Sequence, residues 1–391
     1  MIYEFDKIVK RSNTDSYKWD TLESDDIIPL WVADMDFKTA PCIIKALQKR
    51  VEHGVFGYTA VPESYYQSTI NWFEKRHDLL LQREEIVYTS GVVPAISAII
   101  KALTSPGDGI IVQTPVYNCF FSSIRNNQCE IVENKLIYRD QTYFIDFEDL
   151  ELKAADPRNR VLLLCNPHNP AGRVWTHEEL QKIGEICLKY DVTVVSDEIH
   201  CEIVFAPYKF VSFASISEEF HDKCVVCCSP SKAFNIAGLQ IANIFARDAE
   251  MRQKIEKAIN INEVCDVNPF GVIALQEAYN NGIEWLEQMI DYVHDNYQLL
   301  QSIVKDRLPD FKLTKLEGTY LAWLDCSVLD MSSSEIAVKL MRDFKVLVNS
   351  GEMYKDPSDH FIRINLATSR SVLNEGLERL VTGLLTIKNS L

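Results

Sequence analysis

The chain has 391 residues, 47% hydrophobic and 25% charged, with a formal net charge of −16; this is the composition of an ordinary globular protein, long enough for two domains. So acidic a chain argues against nucleic acid and anionic membrane as partners, because its densest basic clusters (Lys7, Lys10 and Arg11; Lys45, Lys49 and Arg50) read as solvated faces. No apolar run approaches the roughly 18 residues of a membrane span, and residues 1–20 lack the apolar core of a secretory signal, so a cytoplasmic location is expected.

In chain order, residues 1–40 lack strong periodicity and are expected to pack with the small domain described below. Ile43, Ile44, Leu47 and Val51 recur at helical spacing, with Gly54 as a stop. A second helical pattern follows Pro62, with Tyr66, Ile70 and Phe73 on one face. Short apolar runs come next, at 86–88, 110–112, 161–165, 192–195 and 225–228. They are continuous rather than alternating, as in strands buried on both faces. Helical segments lie between several of them, such as 176–189, opened by Thr176 with Glu179 three residues on. Strands with intervening helices predict a parallel sheet covered on both sides. The run at 224–228 is rich in cysteine, but the chain's eleven cysteines have no regular spacing and no second Cys/His pair completes a zinc site. Reduced, buried thiols and no metal are expected. Near residue 283 the pattern changes. A long helix over 283–307 ends before Pro309, followed by strands near 320–324, 346–348 and 361–364, a helix near 333–343 and a last helix from Val372. The expected division is an N-terminal segment 1–40, a large domain 41–285 and a smaller α+β domain 286–391.

Ligands of open α/β sheets bind beyond the carboxyl ends of the strands, so the residues after each run are the informative ones. After 86–88, Ser90-Gly91-Val92 opens a helix; free N–H groups and the positive dipole end there suit a phosphate, although a plain cap looks the same. After 110–112 comes Tyr117, a ring that can stack on a flat ligand or be an ordinary half-buried tyrosine. After 161–165, two Asn-Pro steps make a rigid turn from which Asn169 can donate a hydrogen bond. After 192–195, Asp197 brings a carboxylate to a buried strand end, where it either caps a turn or needs a cation such as a protonated pyridine nitrogen; His200 lies three residues on. After 225–228, Ser229 and Ser231 can bind phosphate, and Lys232 is either a surface lysine or a desolvated, nucleophilic amine. Together these residues supply a phosphate cradle, a stacking ring, a donor, an acid for a ring nitrogen and an amine, which are the protein-side needs of pyridoxal 5′-phosphate.

The segments Trp31–Phe37 (WVADMDF), Gly54–Tyr58 (GVFGY), Ser90–Pro94 (SGVVP), Asn166–Trp175 (NPHNPAGRVW), Ser196–His200 (SDEIH), Ser231–Asn235 (SKAFN) and Gly318–Leu324 (GTYLAWL) carry a resemblance. With them, essentially the whole chain resembles the fold-type I, class I/II aminotransferase superfamily of pyridoxal-phosphate enzymes. Within it the chain is similar to the cystathionine β-lyase, or C–S lyase, branch of the MalY/PatB type. The resemblance implies a three-layer α/β fold, with a mostly parallel central sheet in the large domain. It implies Lys232 as the Schiff-base lysine, Asp197 on the pyridine nitrogen, Asn169 and His200 at the ring's 3′-oxygen, and Tyr117 stacked on the ring. Ser90, Gly91, Val92, Ser229 and Ser231 would hold the phosphate. Arg363 would grip the substrate carboxylate, with Asn169 and Tyr117 beside it. Tyr58 matches a residue that reaches the neighbouring subunit's phosphate, which implies a homodimer. Where many aminotransferases carry an arginine eight residues after the lysine, this chain has Gln240, a departure that favours the lyase branch.

The implied activity is α,β-elimination from L-cystathionine or a related S-substituted cysteine, within amino-acid metabolism and methionine biosynthesis. A transaminase would use the same residues and is the alternative. A regulatory protein that keeps the fold without catalysis is the alternative of another class. The distal pocket is expected to draw on residues 31–37 and Tyr320.

Overall fold

The computed structural model describes residues 2–261, 267–355 and 358–390. The apolar runs become neighbouring strands of one seven-stranded sheet. Its order is Ile86–Thr89, Ala242–Phe245, Cys224–Cys228, Thr193–Asp197, Asn159–Cys165, Gly109–Val112 and Glu130–Glu133. Ala242–Phe245 runs antiparallel to both neighbours, and the other pairings are parallel. Burial alternates along each central strand between two apolar layers. Val161, Leu163 and Cys165 pack with Ile96, Ile99 and Phe120 on one side. Leu162 and Leu164 pack with Phe73, Ile183 and Leu275 on the other. Both faces are dry, which is why the runs are continuous in sequence. This is the expected three-layer α/β arrangement with a mostly parallel sheet.

Local signals act where the sequence places them. Gly54 closes the helix Pro41–His53 at φ +74°, in the left-handed region that suits glycine. Thr176 and Glu179 form a reciprocal capping box on His177–Lys189. Two strands of this sheet, Ala242–Phe245 and Glu130–Glu133, are absent from the sequence reading, as are the short strands Ile28–Pro29, Ile137–Arg139, Thr142–Phe144 and Lys312–Leu313. Glu130–Glu133 is a four-residue edge strand with no fully buried side chain, so its pattern is weak.

The C-terminal part forms a four-stranded antiparallel sheet, in the order Lys312–Leu313, Leu321–Asp325, Phe361–Asn365 and Asn349–Ser350. The 25-residue helix Ile283–Arg307 leads into it and runs across residue 285. The N-terminal segment also joins this region: Ile28–Pro29 pairs in parallel with Val346–Leu347, and Leu30 accepts from the Asn365 N–H at 2.9 Å. Among the described residues no helix is long and apolar enough to cross a membrane.

Gly184 lies inside the helix His177–Lys189, where glycine costs about 1 kcal/mol relative to alanine. A methyl group there would meet the Phe220 ring at 2.1 Å. Overpacking of that kind costs about 1–3 kcal/mol, which outweighs the propensity gain. Gly184→Ala is expected to lower the denaturant midpoint; a raised midpoint would show that the ring moves aside freely.

Candidate active site

A cavity of about 200 Å³ opens at the carboxyl ends of the parallel strands. Its wall includes Ser90, Gly91, Val92, Tyr117, Asn169, Asp197, His200, Ser231 and Lys232. Residues from five strand ends, spread over more than a hundred positions, therefore face one space.

The helix Val92–Leu103 points its N-terminus into this cavity. Its first intrahelical bond is the Ala95 N–H to the Gly91 carbonyl, it has no side-chain cap, and its first turn has no acidic residue. The Val92 and Val93 N–H groups are left for a ligand. At Gly91 a side chain would crowd the Pro94 ring at 3.3 Å, so the turn stays slim.

Asp197 ends its strand fully inside the protein, in register with Cys165. Burial pushes its carboxyl up to about 7, against the pull of the Ile199 N–H at 3.1 Å and of the Lys232 charge. A carboxylate so placed calls for a cation on its open side. His200 is buried three residues on, and its Nδ1 has no hydrogen-bond partner. Burial holds its pKa well below the ordinary value, so the imidazole is neutral.

The Lys232 amine donates to the Ala33 carbonyl at 2.6 Å. Its pKa is lowered to about 8 by burial and then by the Arg363 charge, while Asp34, Asp197 and Cys119 act in the other direction. A usable fraction is neutral near physiological pH. Arg363 does not line the cavity itself. It crosses from the C-terminal sheet, donating from Nη1 to Asn169 Oδ1 at 3.1 Å and from Nη2 to the Trp31 carbonyl at 2.9 Å, and its buried Nε has no partner. Because the Asn169 oxygen takes Arg363, its amide nitrogen is the end left for a ligand. Tyr117 is held as a neutral phenol, chiefly by burial.

Two expected residues stand apart. The Ser229 hydroxyl donates to the Ile241 carbonyl at 2.5 Å and accepts from the Ser231 N–H at 3.0 Å, bonds that brace the loop carrying Lys232. Tyr58 is 96% exposed and away from the cavity of its own chain. The wall also includes Ala33, Cys165, Ile199, Ala237 and Gln240. Cys119, two residues past Tyr117, interacts with Tyr117 and Lys232, and nothing in its sequence context marks it.

These groups fit pyridoxal 5′-phosphate. The unpartnered His200 nitrogen and the Asn169 amide suit the ring oxygen. Asp197 suits a protonated ring nitrogen, the helix N-terminus suits the phosphate, and Lys232 supplies the amine.

The family profile described as aminotransferase class I and II matches residues 25–380. Cystathionine beta-lyase PatB of Bacillus subtilis (strain 168) is 40% identical over 384 residues, covering 97% of this chain and 99% of that protein. Cystalysin from Treponema denticola, whose crystal structure contains a pyridoxal 5′-phosphate cofactor, is 36% identical with a TM-score of 0.97, covering 99% of this chain and 100% of that one. The PLP-bound C–S lyase from Staphylococcus hominis is 31% identical with a TM-score of 0.92, covering 98% and 99%.

The Asp197 carboxyl titrates at about 7 when folded, against 3.8 ordinarily. Between those values the folded protein holds a proton that the unfolded chain has released, so stability of the cofactor-free protein falls as pH rises through that window. Asp197→Asn removes this slope and is expected to melt higher than wild type at pH 8 and no higher at pH 4.5. Glu198, also pushed up to about 7 by burial, titrates alike in both proteins. Thermal melts that show no gain at pH 8 would contradict the buried charge.

Proposed function

The chain belongs to the aminotransferase class I and II family, and from that membership we propose that it is a pyridoxal-phosphate-dependent C–S β-lyase. Its substrate is L-cystathionine or a related S-substituted cysteine, and its products are a thiol, pyruvate and ammonia. One arrangement carries the reading: the amine of Lys232 and the buried carboxylate of Asp197 face the same cavity, above an open helix N-terminus. Two things favour the lyase over the transaminase. The similar proteins include a cystathionine beta-lyase and a C–S lyase, and Gln240 stands where many transaminases have an arginine.

The bound cofactor supplies an electron sink for the charge left when the substrate's α-proton departs. Arg363, with Asn169, receives the substrate α-carboxylate along the edge of its guanidinium, where the N–H donors lie, which sets the α-carbon's orientation. Lys232 would hold the cofactor through its amine and, when that amine is free, would serve as the base. Its depressed pKa, about 8, gives a larger neutral fraction than an ordinary lysine has, and the neutral amine takes the α-proton. Asp197 keeps the ring nitrogen protonated. The Cβ–S bond then breaks, and sulfur leaves with the bonding pair as a thiolate that takes up a proton. The remaining three-carbon fragment hydrolyses to pyruvate and ammonia.

The assembly is a homodimer in this reading. Val55, Phe56 and Tyr58 are exposed on one short segment, a surface suited to a second copy. The acidic chain works in the cytoplasm, where cleavage of cystathionine serves methionine biosynthesis.

Loaded wild-type protein given L-cystathionine is expected to form pyruvate with no keto acid added. Amino transfer to 2-oxoglutarate without pyruvate would establish the transaminase instead. Lys232→Ala is expected to lose both the visible absorbance band and pyruvate formation. Arg363→Lys loses the two-pronged grip; a cost of about 2 kcal/mol, roughly thirtyfold in kcat/KM, is expected from steady-state kinetics.

A further inference from the structure

Residues 31–36 form a strip of irregular backbone against the cavity, and each carbonyl from Trp31 to Met35 accepts a hydrogen bond from a side chain. The Trp31 carbonyl accepts from Arg363 at 2.9 Å. Asn365 donates to the carbonyls of Val32 and Asp34. The Met35 carbonyl accepts from Arg11 at 3.1 Å and from Asn235 at 3.0 Å. The Met35 N–H donates to Asn235 Oδ1, and the Asp36 N–H to the Ala367 carbonyl. Ala33 differs: its oxygen takes Lys232 Nζ at 2.6 Å and the Tyr320 hydroxyl at 2.9 Å.

Behind this strip is a charge cluster that the reaction does not use. Lys18 is fully buried and pairs with Asp36 at 2.9 Å. Arg11 bridges Asp36 at 2.8 Å and Asp34 at 2.7 Å, and the Trp19 indole N–H donates to Asp36 at 2.9 Å. Two cations and two carboxylates balance. Sealing such ions from water costs desolvation that an apolar pair of similar volume avoids, so they are poor glue. What they add is direction, because each bond fixes a distance and an angle.

We propose that Lys18 and Asp36 are positioning residues for Lys232. They lock residues 31–36 so that the Ala33 carbonyl receives the lysine amine while it is off the cofactor, holding it beside the substrate α-carbon. This rests on the reading of Lys232 as the cofactor-bearing base. The Ala33 oxygen accepts best from an ammonium, so it favours the protonated amine; loosening the strip releases that preference and leaves the base less well aimed. The other charged or titratable groups around the amine are Arg363, Asp34, Asp197, Cys119 and His200. Of these, replacing Lys18 touches only Asp34, which loses an ion pair at 3.8 Å and keeps the shorter one to Arg11 at 2.7 Å; the freed Asp34 charge acts to raise the Lys232 amine, so a midpoint that moves down reports the loosened strip and not the lost charge.

The test uses Lys18→Met, Lys18→Arg and the apolar double variant Lys18→Met/Asp36→Leu. The double variant carries the experiment if the single one does not fold, since apolar replacement of a buried pair is usually tolerated. The first readout is the rate at which cofactor-free full-length protein develops visible absorbance on adding pyridoxal 5′-phosphate, followed against pH. Its midpoint reports the Lys232 amine and is expected to move down by about half a unit or more in the Met variants and to return in Lys18→Arg. The second readout is turnover: kcat is expected to fall by about tenfold with KM within about twofold. A midpoint and kcat unchanged in a folded Met variant would overturn the proposal. If wild type makes no pyruvate while the midpoint still moves, the lyase reading fails and the positioning role stands.

Discussion

Arg363 joins three stretches of chain that are far apart in sequence. From the C-terminal sheet it reaches Asn169, in the loop after a parallel strand, and the Trp31 carbonyl in the N-terminal segment. Without this junction the cavity is only a groove at the end of a sheet. With it, the groove acquires a lid of backbone from residues 31–36, an amide turned toward the ligand and a positive charge that weakens the basicity of Lys232. The link is charge-assisted and buried, so removing one partner strands the other in a dry place. The two sheets are thus coupled through this side chain.

The cavity's ionisable groups share one physical cause. Burial drives Asp197 up, Lys232 down and His200 to neutrality, so each is displaced toward its uncharged form. A site of this kind stores the cost of desolvation in groups that recover it only against a partner of matching charge. A cationic ring nitrogen, an anionic phosphate and a carboxylate supply those charges together, which makes the fit to pyridoxal phosphate mutual rather than a sum of separate contacts.

Much of this was legible in the sequence, for definite reasons. Strands with two buried faces leave continuous apolar runs, so the parallel core and the order of the strand-end residues could be read directly. Thr176 and Gly54 behave as their local chemistry dictates. A serine beside a lysine gives no sign of which way its hydroxyl turns, so the bond from Ser229 to the Ile241 carbonyl, just before the neighbouring strand, could not be read from the sequence. Ala33 escaped notice because its contribution is a backbone oxygen, which no side-chain pattern reports. Ala242–Phe245 escaped because Asn243, buried where it accepts from the Tyr65 hydroxyl, interrupts its apolar run, and the functional weight of Arg363 came from the resemblance alone.

That one antiparallel strand shapes what the protein can tolerate in its history. Cys228 and Asn243 are paired across the ladder, so the loop carrying Lys232 leaves the sheet and re-enters it on adjacent strands at the same edge. Both its ends are clamped, and a residue gained or lost between them must displace the lysine. The connections at the opposite edge of the sheet, such as the turn before Asn159, are open to solvent and touch no part of the cavity. Changes of length are therefore expected to accumulate on that far edge among related chains, while the loop from Ser229 to Ile241 keeps a constant length even where its residues vary.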